Sequence, residues 1–271
     1  RLREEGPAGD RRTWPPFESL PAGTLGEVVD RLSSIPLVPP LSDFVAPTMP
    51  PSQPADLFFF FDLGKVLVAF DHQVMVENLA GLLGVPGESV RALLFDQGLE
   101  DAYERGEITS QTFADRLNAI GHHPVRHDEL LDAAGAMFTV QREMVPVLQR
   151  CRQAGVGMGL LSNTCEAHWE WLQRHPMETV VGWFDPIVLS YRVHSMKPDL
   201  AIYRSAEQMA GVGPESIFFI DDRAENVEGA RAAGWRATLF VDASSLNQQL
   251  DALLPPLVAG SALRESSPGD R

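Results

Sequence analysis

Cysteine and lysine are nearly missing from this 271-residue chain, and each shortage excludes something. The two cysteines, Cys151 and Cys165, show no CxxC or histidine-paired spacing, so neither a disulfide framework nor a zinc site can be built on them. Free thiols point to a reducing, cytoplasmic compartment. Long apolar runs are also lacking. The best candidate, Leu57 to Phe70, is broken by Asp62 and Lys65, which excludes a membrane span. Positive charge is outweighed, with 22 basic against 37 acidic residues and a net charge of −15. Such a field repels nucleic-acid backbones and anionic lipid, so neither a nucleic acid nor a membrane is expected as a partner. Of the basic residues only Lys65 and Lys197 are lysine, which singles out those two positions. Nothing in the sequence reports oligomeric state.

What is present is ordinary globular composition, 44% hydrophobic and 22% charged. Eleven of the 21 prolines fall within residues 1–55, a stretch that cannot hold long helices or central strands. Leu25, Val28, Val29 and Leu32, behind a capping box of Thr24 and Glu27, are its one helical pattern. The chain begins with Arg1, and Met49 stands shortly before the first strongly apolar run. The leader is therefore read either as a disordered Pro-rich arm or as sequence upstream of the native start.

From Leu57 the pattern alternates. Leu57 to Phe61, Val156 to Leu161, Ile187 to Leu189, Ile217 to Ile220 and Ala237 to Val241 have the length of buried parallel strands. Helical patterns fill the gaps at Met144 to Ala154, Ala167 to His175, Asp199 to Met209 and Ala224 to Ala233. This predicts an α/β fold, a Rossmann-like doubly wound parallel sheet. The gap after the first strand is too long for one crossover. Its helical patterns, Val74 to Leu83, Ser89 to Phe95, Gln111 to Ile120 and Asp128 to Phe138, predict a small inserted helical module. The expected division is a leader at 1–55, a core at 56–71 and 141–258, a helical insert at 72–140 and a disordered tail at 259–271. An insert at that point sits over the carboxyl ends of the strands, where open α/β sheets bind ligands.

Polar residues close the apolar runs: Asp62, Ser162, the pair Asp221 and Asp222, and Lys197 shortly after the third strand. Strand ends converge, so carboxylates, a hydroxyl and an ammonium gather there. Oxygen donors favour a hard cation such as Mg²⁺ with a phosphate over zinc. The series Phe-Phe-Asp62-Leu-Gly64-Lys65, Leu-Leu-Ser162-Asn163-Thr, Met-Lys197-Pro198 and Phe-Phe-Ile-Asp221-Asp222 resembles the four motifs of the haloacid dehalogenase superfamily. The insert resembles its C1 cap. The Asp-Leu-Gly opening, Glu104-Arg105-Gly106-Glu107-Ile108 and the run from Asp221 to Asn226 are similar to sugar-phosphate phosphatases of the α-glucose-1-phosphatase type.

The resemblance implies a Mg²⁺-dependent hydrolase acting on a small phosphorylated molecule. Asp62 would attack phosphorus and carry an aspartyl-phosphate. Ser162 and the Asn163 amide would hold phosphoryl oxygens at a helix N-terminus. Lys197 would lean toward the anion from a helix start opened by Pro198, as a compact charge suited to a crowded site. Asp62, Asp222 and the Gly64 carbonyl would hold the metal, with Asp221 an outer ligand or the partner of Lys197, and Asn226 would brace the loop. Gly64 departs from the pattern, since most phosphatases of the superfamily carry there a second Asp that protonates the leaving oxygen. Glu104, Glu107, Asp71 and His72 are the candidates to replace it. At Lys65, where Gly or Asn is usual, the side chain either points to solvent, the preferred reading, or supplies a second phosphate contact.

Two other readings stand beside the phosphatase. A 2-haloacid dehalogenase tolerates loss of the second Asp, yet it needs no metal, and paired Asp221 and Asp222 speak against it. A catalytically weak binding or regulatory protein would explain Gly64 and Lys65 as decay. His122, His123 and His127 lack a carboxylate or Cys at ligand spacing, and Trp169 and Trp171 are read as core packing or a dimer contact rather than substrate stacking.

Overall fold

The structure is a computed structural model that describes residues 57–175 and 181–254. The Pro-rich leader, with the helical pattern read at Leu25 to Leu32, and the tail at 259–271 lie outside the described residues. The strands, numbered along the chain, are β1 (Phe58–Phe61), β2 (Val68–Phe70), β3 (Phe138–Val140), β4 (Gly157–Ser162), β5 (Ile187–Leu189), β6 (Ile217–Asp221) and β7 (Arg236–Leu239). Five of them form a parallel sheet in the order β5-β4-β1-β6-β7, which is the expected doubly wound α/β architecture.

The unbroken run of phenylalanines in β1 follows from its central place, because both faces of the sheet are covered. Phe59 and Phe61 enter one core with Leu148, Leu160 and Trp169. Phe58 and Phe60 enter the other with Ile202, Tyr203 and Trp235. The neighbouring strand makes room for these rings. Gly157 pairs with Phe58 and Gly159 with Phe60, and a Cβ at either glycine would lie 2.5 or 2.4 Å from the facing ring.

The helices are α1 (His72–Leu83), α2 (Gly87–Arg91), α3 (Leu99–Glu104), α4 (Ser110–Ile120), α5 (His127–Gly135), α6 (Met144–Gln153), α7 (Glu166–Arg174), α8 (Ser190–Val193), α9 (Leu200–Ala210), α10 (Ala224–Ala232) and α11 (Ala243–Leu250). A π-helical turn, Ala92–Asp96, continues α2. Helices α1 to α5 share a hydrophobic cluster that includes Leu79, Leu94, Tyr103, Phe113 and Leu117, and that also takes in Cys165 and Ala167 at the start of α7. Gly135 of α5 lies so close to Trp171 of α7 that a Cβ would meet the indole side chain at 2.3 Å.

Three details differ from the sequence reading. The pattern read as helix to Phe138 stops at Gly135, and Phe138–Val140 instead pairs antiparallel with Val68–Phe70. The module is thus entered and left through a two-stranded ribbon, where the Asp71 amide donates to the Met137 carbonyl at 3.3 Å. Helix α3 was not expected; it occupies the six residues between Gly98 and Arg105, too few to display a period. Pro198 does not open a helix either. It lies in a turn, and α9 begins at Leu200 behind Asp199.

Candidate active site

Parallel pairing of β1 with β6 carries Asp62, which follows β1, and Asp221, which ends β6, to the same edge of the sheet. The Asp62 amide continues the ladder by donating to the Ile220 carbonyl at 2.9 Å. Asp222 follows, and oxygen atoms of Asp62, Asp221 and Asp222 lie within 4.8 Å of one another. Ser162 ends β4 on the other side of β1.

Lys197 reaches this edge from the turn before α9 and is 4% exposed. Its Nζ donates to Asp62 Oδ1 at 2.6 Å, Asp221 Oδ2 at 2.7 Å and the Leu161 carbonyl at 3.0 Å. Burial works against its charge, but the two carboxylates prevail and raise its pKa above the ordinary lysine value. Asp62 is pushed up to about 7 by burial, with Lys197 pulling it down and Asp221 pushing further up. Asp221 is otherwise occupied, accepting from Asn226 Nδ2 at 3.0 and 3.1 Å and from the Arg223 amide at 2.8 Å. Asp222 is more open, and Lys65 Nζ lies 3.6 Å from its carboxylate.

The Ser162 hydroxyl donates to the Asn163 carbonyl at 3.2 Å. Asn163 does more than its backbone suggested. Its side chain accepts from the Lys197 amide at 2.8 Å and donates to the Lys197 carbonyl at 2.9 Å. Helix α7 starts only at Glu166, and its Ala167 amide is taken by the Tyr103 hydroxyl at 3.1 Å. Asn163 therefore stands in the loop ahead of the helix and not at its N-terminus. The loop is tied further to the helical module, because the Ser190 hydroxyl bonds both the Thr164 carbonyl at 2.9 Å and the Glu104 carbonyl at 2.7 Å.

Gly64 borders the same cleft. Its φ is not left-handed, yet a Cβ would stand 2.9 Å from the Phe70 ring, so Phe70 fills the space a side chain would need. Lys65 adopts a left-handed φ of 56°, uncommon for a residue with a Cβ. Its side chain is 61% exposed, in keeping with the solvent reading, but it also meets Asp222.

The cleft has a volume of about 760 Å³ and runs from Asp62, Lys197 and Asp222 to the module residues Arg91, Asp101 and Glu104. A smaller recess of about 60 Å³ opens between Gly64, Ser162, Phe138, Glu100, Glu104 and His168. Of the candidates to replace an acid at position 64, Glu107 is exposed and is not part of either wall. Asp71 is spent on capping α1, accepting from the Gln73 amide at 2.8 Å. His72 lies at the rim, 3.9 Å from Glu100, and burial lowers its pKa. Glu104, like His72, borders both spaces.

Two residues that sequence reasoning missed stand beside it. Glu100, Glu104 and His168 offer ligand atoms within 4.8 Å of one another. Glu100 was signalled only by its position one helical turn before Glu104; nothing local pointed to His168. Burial pushes Glu100 up to about 8 and Glu104 up to about 7, and lowers His168 to about 3. Cys165 is fully enclosed and its thiol is raised well above the ordinary value, so it is no reactive thiolate.

Asp62, Asp221 and Asp222 fit a hard divalent cation. Three oxygen donors converge, their mutual repulsion and burial raise Asp62, and a bound positive charge offsets both. No helix among the described residues is long and apolar enough to cross a membrane.

Residues 59–234 match the family described as haloacid dehalogenase-like hydrolase. Phosphatase MT3486 of Mycobacterium tuberculosis is 28% identical over 186 residues, covering 66% of this chain and 84% of that protein. A phosphoserine phosphatase of Thermus thermophilus is 31% identical over 150 residues, 51% of this chain and 55% of that protein. Among solved structures, the HAD family enzyme bt-2542 from Bacteroides thetaiotaomicron in its magnesium complex matches with a TM-score of 0.62 at 26% identity, over 71% of this chain and 98% of that one. A variant of that enzyme in complex with magnesium and inorganic phosphate matches with a TM-score of 0.61 at 25% identity, over 70% and 98%.

Proposed function

This chain belongs to the haloacid dehalogenase-like hydrolase family, and from that premise we propose that it is a Mg²⁺-dependent phosphatase for a small, polar, sugar-phosphate-like monoester. The observation that carries the reading is the convergence of Asp62, Asp221 and Asp222 with Lys197 at one edge of the sheet. The phosphatase names of two relatives and the magnesium and phosphate bound by a structural neighbour support it. The helical module acts as a cap whose charged wall, with Arg91 and Asp101, suits a polar leaving group.

Asp62 is the nucleophile. One of its oxygens bonds phosphorus as the ester oxygen departs, and water then cleaves the aspartyl-phosphate to regenerate the carboxylate. Lys197 offsets charge on the phosphoryl oxygens and fixes Asp62 through the 2.6 Å bond. The Ser162 hydroxyl and the Asn163 amide hold phosphoryl oxygens. Asp62, Asp222 and the Gly64 carbonyl hold the cation, with Asp221 kept behind them by Lys197 and Asn226. When bound, Mg²⁺ supplies positive charge opposite the phosphoryl oxygens and relieves the crowding of carboxylates.

A phosphate-release screen over a panel of phosphomonoesters, with Mg²⁺ or with chelator, tests the reading. Release that requires Mg²⁺ and vanishes in Asp62→Asn supports it. Mg²⁺ binding without hydrolysis of any ester would favour the catalytically weak binding protein, a reading encouraged by Lys65 at 3.6 Å from Asp222.

A further inference from the structure

Breaking an alkyl phosphate needs a proton for the departing oxygen, and hydrolysing the acyl phosphate that remains needs a base for water. Neither role can fall to the metal-holding carboxylates, which must stay ionised. Position 64 offers no side chain, and Phe70 occupies the space beside it. Any proton donor must therefore come from the opposite wall.

That wall presents three titratable side chains that border both spaces, His72, Glu100 and Glu104, and Glu104 is the one that feels the charges of both Asp62 and Lys197. Glu104 ends α3 and borders both the large cleft, shared with Asp62 and Lys197, and the small recess, shared with Ser162 and Gly64. The recess of about 60 Å³ has room for a water or a leaving-group oxygen. The position of Glu104 is fixed from behind, since its carbonyl accepts from Ser190, which also holds the loop after Ser162. Tyr103, its neighbour, is pinned between Ser110 at 2.6 Å and the Ala167 amide.

We propose that Glu104 is the acid and base of the reaction, a catalytic residue donated by the cap, with Glu100 and His168 as the residues that position it. The proposal rests on the phosphatase reading above. In the first step an Asp62 oxygen bonds phosphorus, the bond from phosphorus to the ester oxygen breaks, and that oxygen takes the Glu104 proton. In the second step the Glu104 carboxylate takes a proton from water as its oxygen bonds phosphorus, and the bond from Asp62 to phosphorus breaks. Alcohol and phosphate leave and Glu104 is again protonated.

The surroundings agree. Burial is the largest influence on Glu104 and favours its neutral form; Asp101 and Asp62 push the same way, while Lys197 and Arg223 oppose. Glu100 and Cys165, themselves held neutral by burial, His168, an uncharged imidazole, and His72, whose charged form burial disfavours, are titratable groups of the same surroundings. Glu100 has a buried carboxyl oxygen with no hydrogen-bond partner, which leaves it free to meet a proton carried by Glu104. Glu100 and His72 are the weaker choices: Glu104 feels the charges of Asp62 and Lys197, whereas the charges that shift Glu100 and His72 are those of Glu104 and of Asp71, Lys65 and Arg91.

The test compares Glu104→Gln with the wild type, both with Mg²⁺, on 4-nitrophenyl phosphate and on an alkyl phosphate such as glycerol phosphate. The nitrophenolate leaves unprotonated, so the variant should release about one equivalent in a burst and then stall as phosphoenzyme. On the alkyl ester it should give no burst and turn over about 10²- to 10⁴-fold more slowly than wild type. Wild-type turnover of the alkyl ester should fall above about pH 7, a limb absent from the variant. Unchanged turnover in the variant would overturn the proposal, as would equal slowing of both esters without a burst. So would a second equivalent of Mn²⁺ bound by wild type and lost in Glu104→Gln, which would make the trio a metal site. A wild type that hydrolyses neither ester would remove the phosphatase reading itself, and this proposal with it.

Discussion

Asn163 holds Lys197 by both ends of its peptide, accepting from the amide at 2.8 Å and donating to the carbonyl at 2.9 Å. The clamp decides where the ammonium stands, because the side chain projects from a backbone with no regular structure of its own. Asn163→Ala leaves two enclosed backbone groups without partners, at about 1–3 kcal/mol each. Chemical denaturation should report a loss in that range, and kcat should fall more than KM changes. Asn163→Asp keeps the acceptor but sets a carboxylate oxygen against the Lys197 carbonyl in place of the donor, so its loss should be at least as large.

Asp222→Asn removes a negative ligand without changing volume. Titration calorimetry should show Mg²⁺ affinity lowered at least about tenfold with the melting temperature of the metal-free protein unchanged. Equal Mg²⁺ affinity in the two proteins would reassign the ligand.

Lys65 and a cation compete for Asp222. The Lys65 end of the pair is largely exposed, so the pair is worth only about 0.5–1 kcal/mol. Lys65→Gly should tighten Mg²⁺ binding roughly two- to fivefold, less at high salt. Stability should change little, since relief of the left-handed backbone offsets the added freedom of the unfolded chain. Weaker binding would mean that Lys65 assists the site.

Gly159→Ala places a methyl where the Phe60 ring now stands, at 2.4 Å. That ring is fully buried and stacked on Trp235 at 5.4 Å, so it cannot yield. The expected cost is about 1–3 kcal/mol, read as a lower denaturation midpoint at an unchanged slope.

Burial raises Glu100 from 4.5 to about 8, so between those values the folded state binds more proton than the unfolded one. Stability should fall as pH climbs through that window. Glu100→Gln removes this part of the slope: its melting temperature should exceed that of wild type near pH 8.5 and match it near pH 4.5, while Glu104 leaves a residual dependence. Parallel curves would show that Glu100 is not held neutral.

Much of the architecture was legible because both faces of the sheet are buried. Unbroken apolar runs ending in Asp62, Ser162 and Asp221 marked strands and their polar edge at once. The ribbon of Val68–Phe70 and Phe138–Val140 was not legible, since three-residue strands show no alternation and their pairing spans the whole module. Glu104 could be proposed from sequence, but its neighbours could not, because Glu100 and His168 meet it only through tertiary packing. The role of the Asn163 side chain was not legible for a related reason. Its partner is the backbone of a residue far along the chain, and no local pattern records such a bond.

The ribbon has a consequence for how the molecule could be rebuilt. Chain enters the helical module at Asp71 and returns at Met137, and these two residues are joined by a hydrogen bond. Adjacent ends make the module a transplantable cassette: another insert of any length whose termini meet could be grafted there at little loop-closure cost to the sheet. The graft would succeed or fail on the flank of α7 that the module covers, where Ala167 would lose its Tyr103 partner and Trp171 its close fit to Gly135.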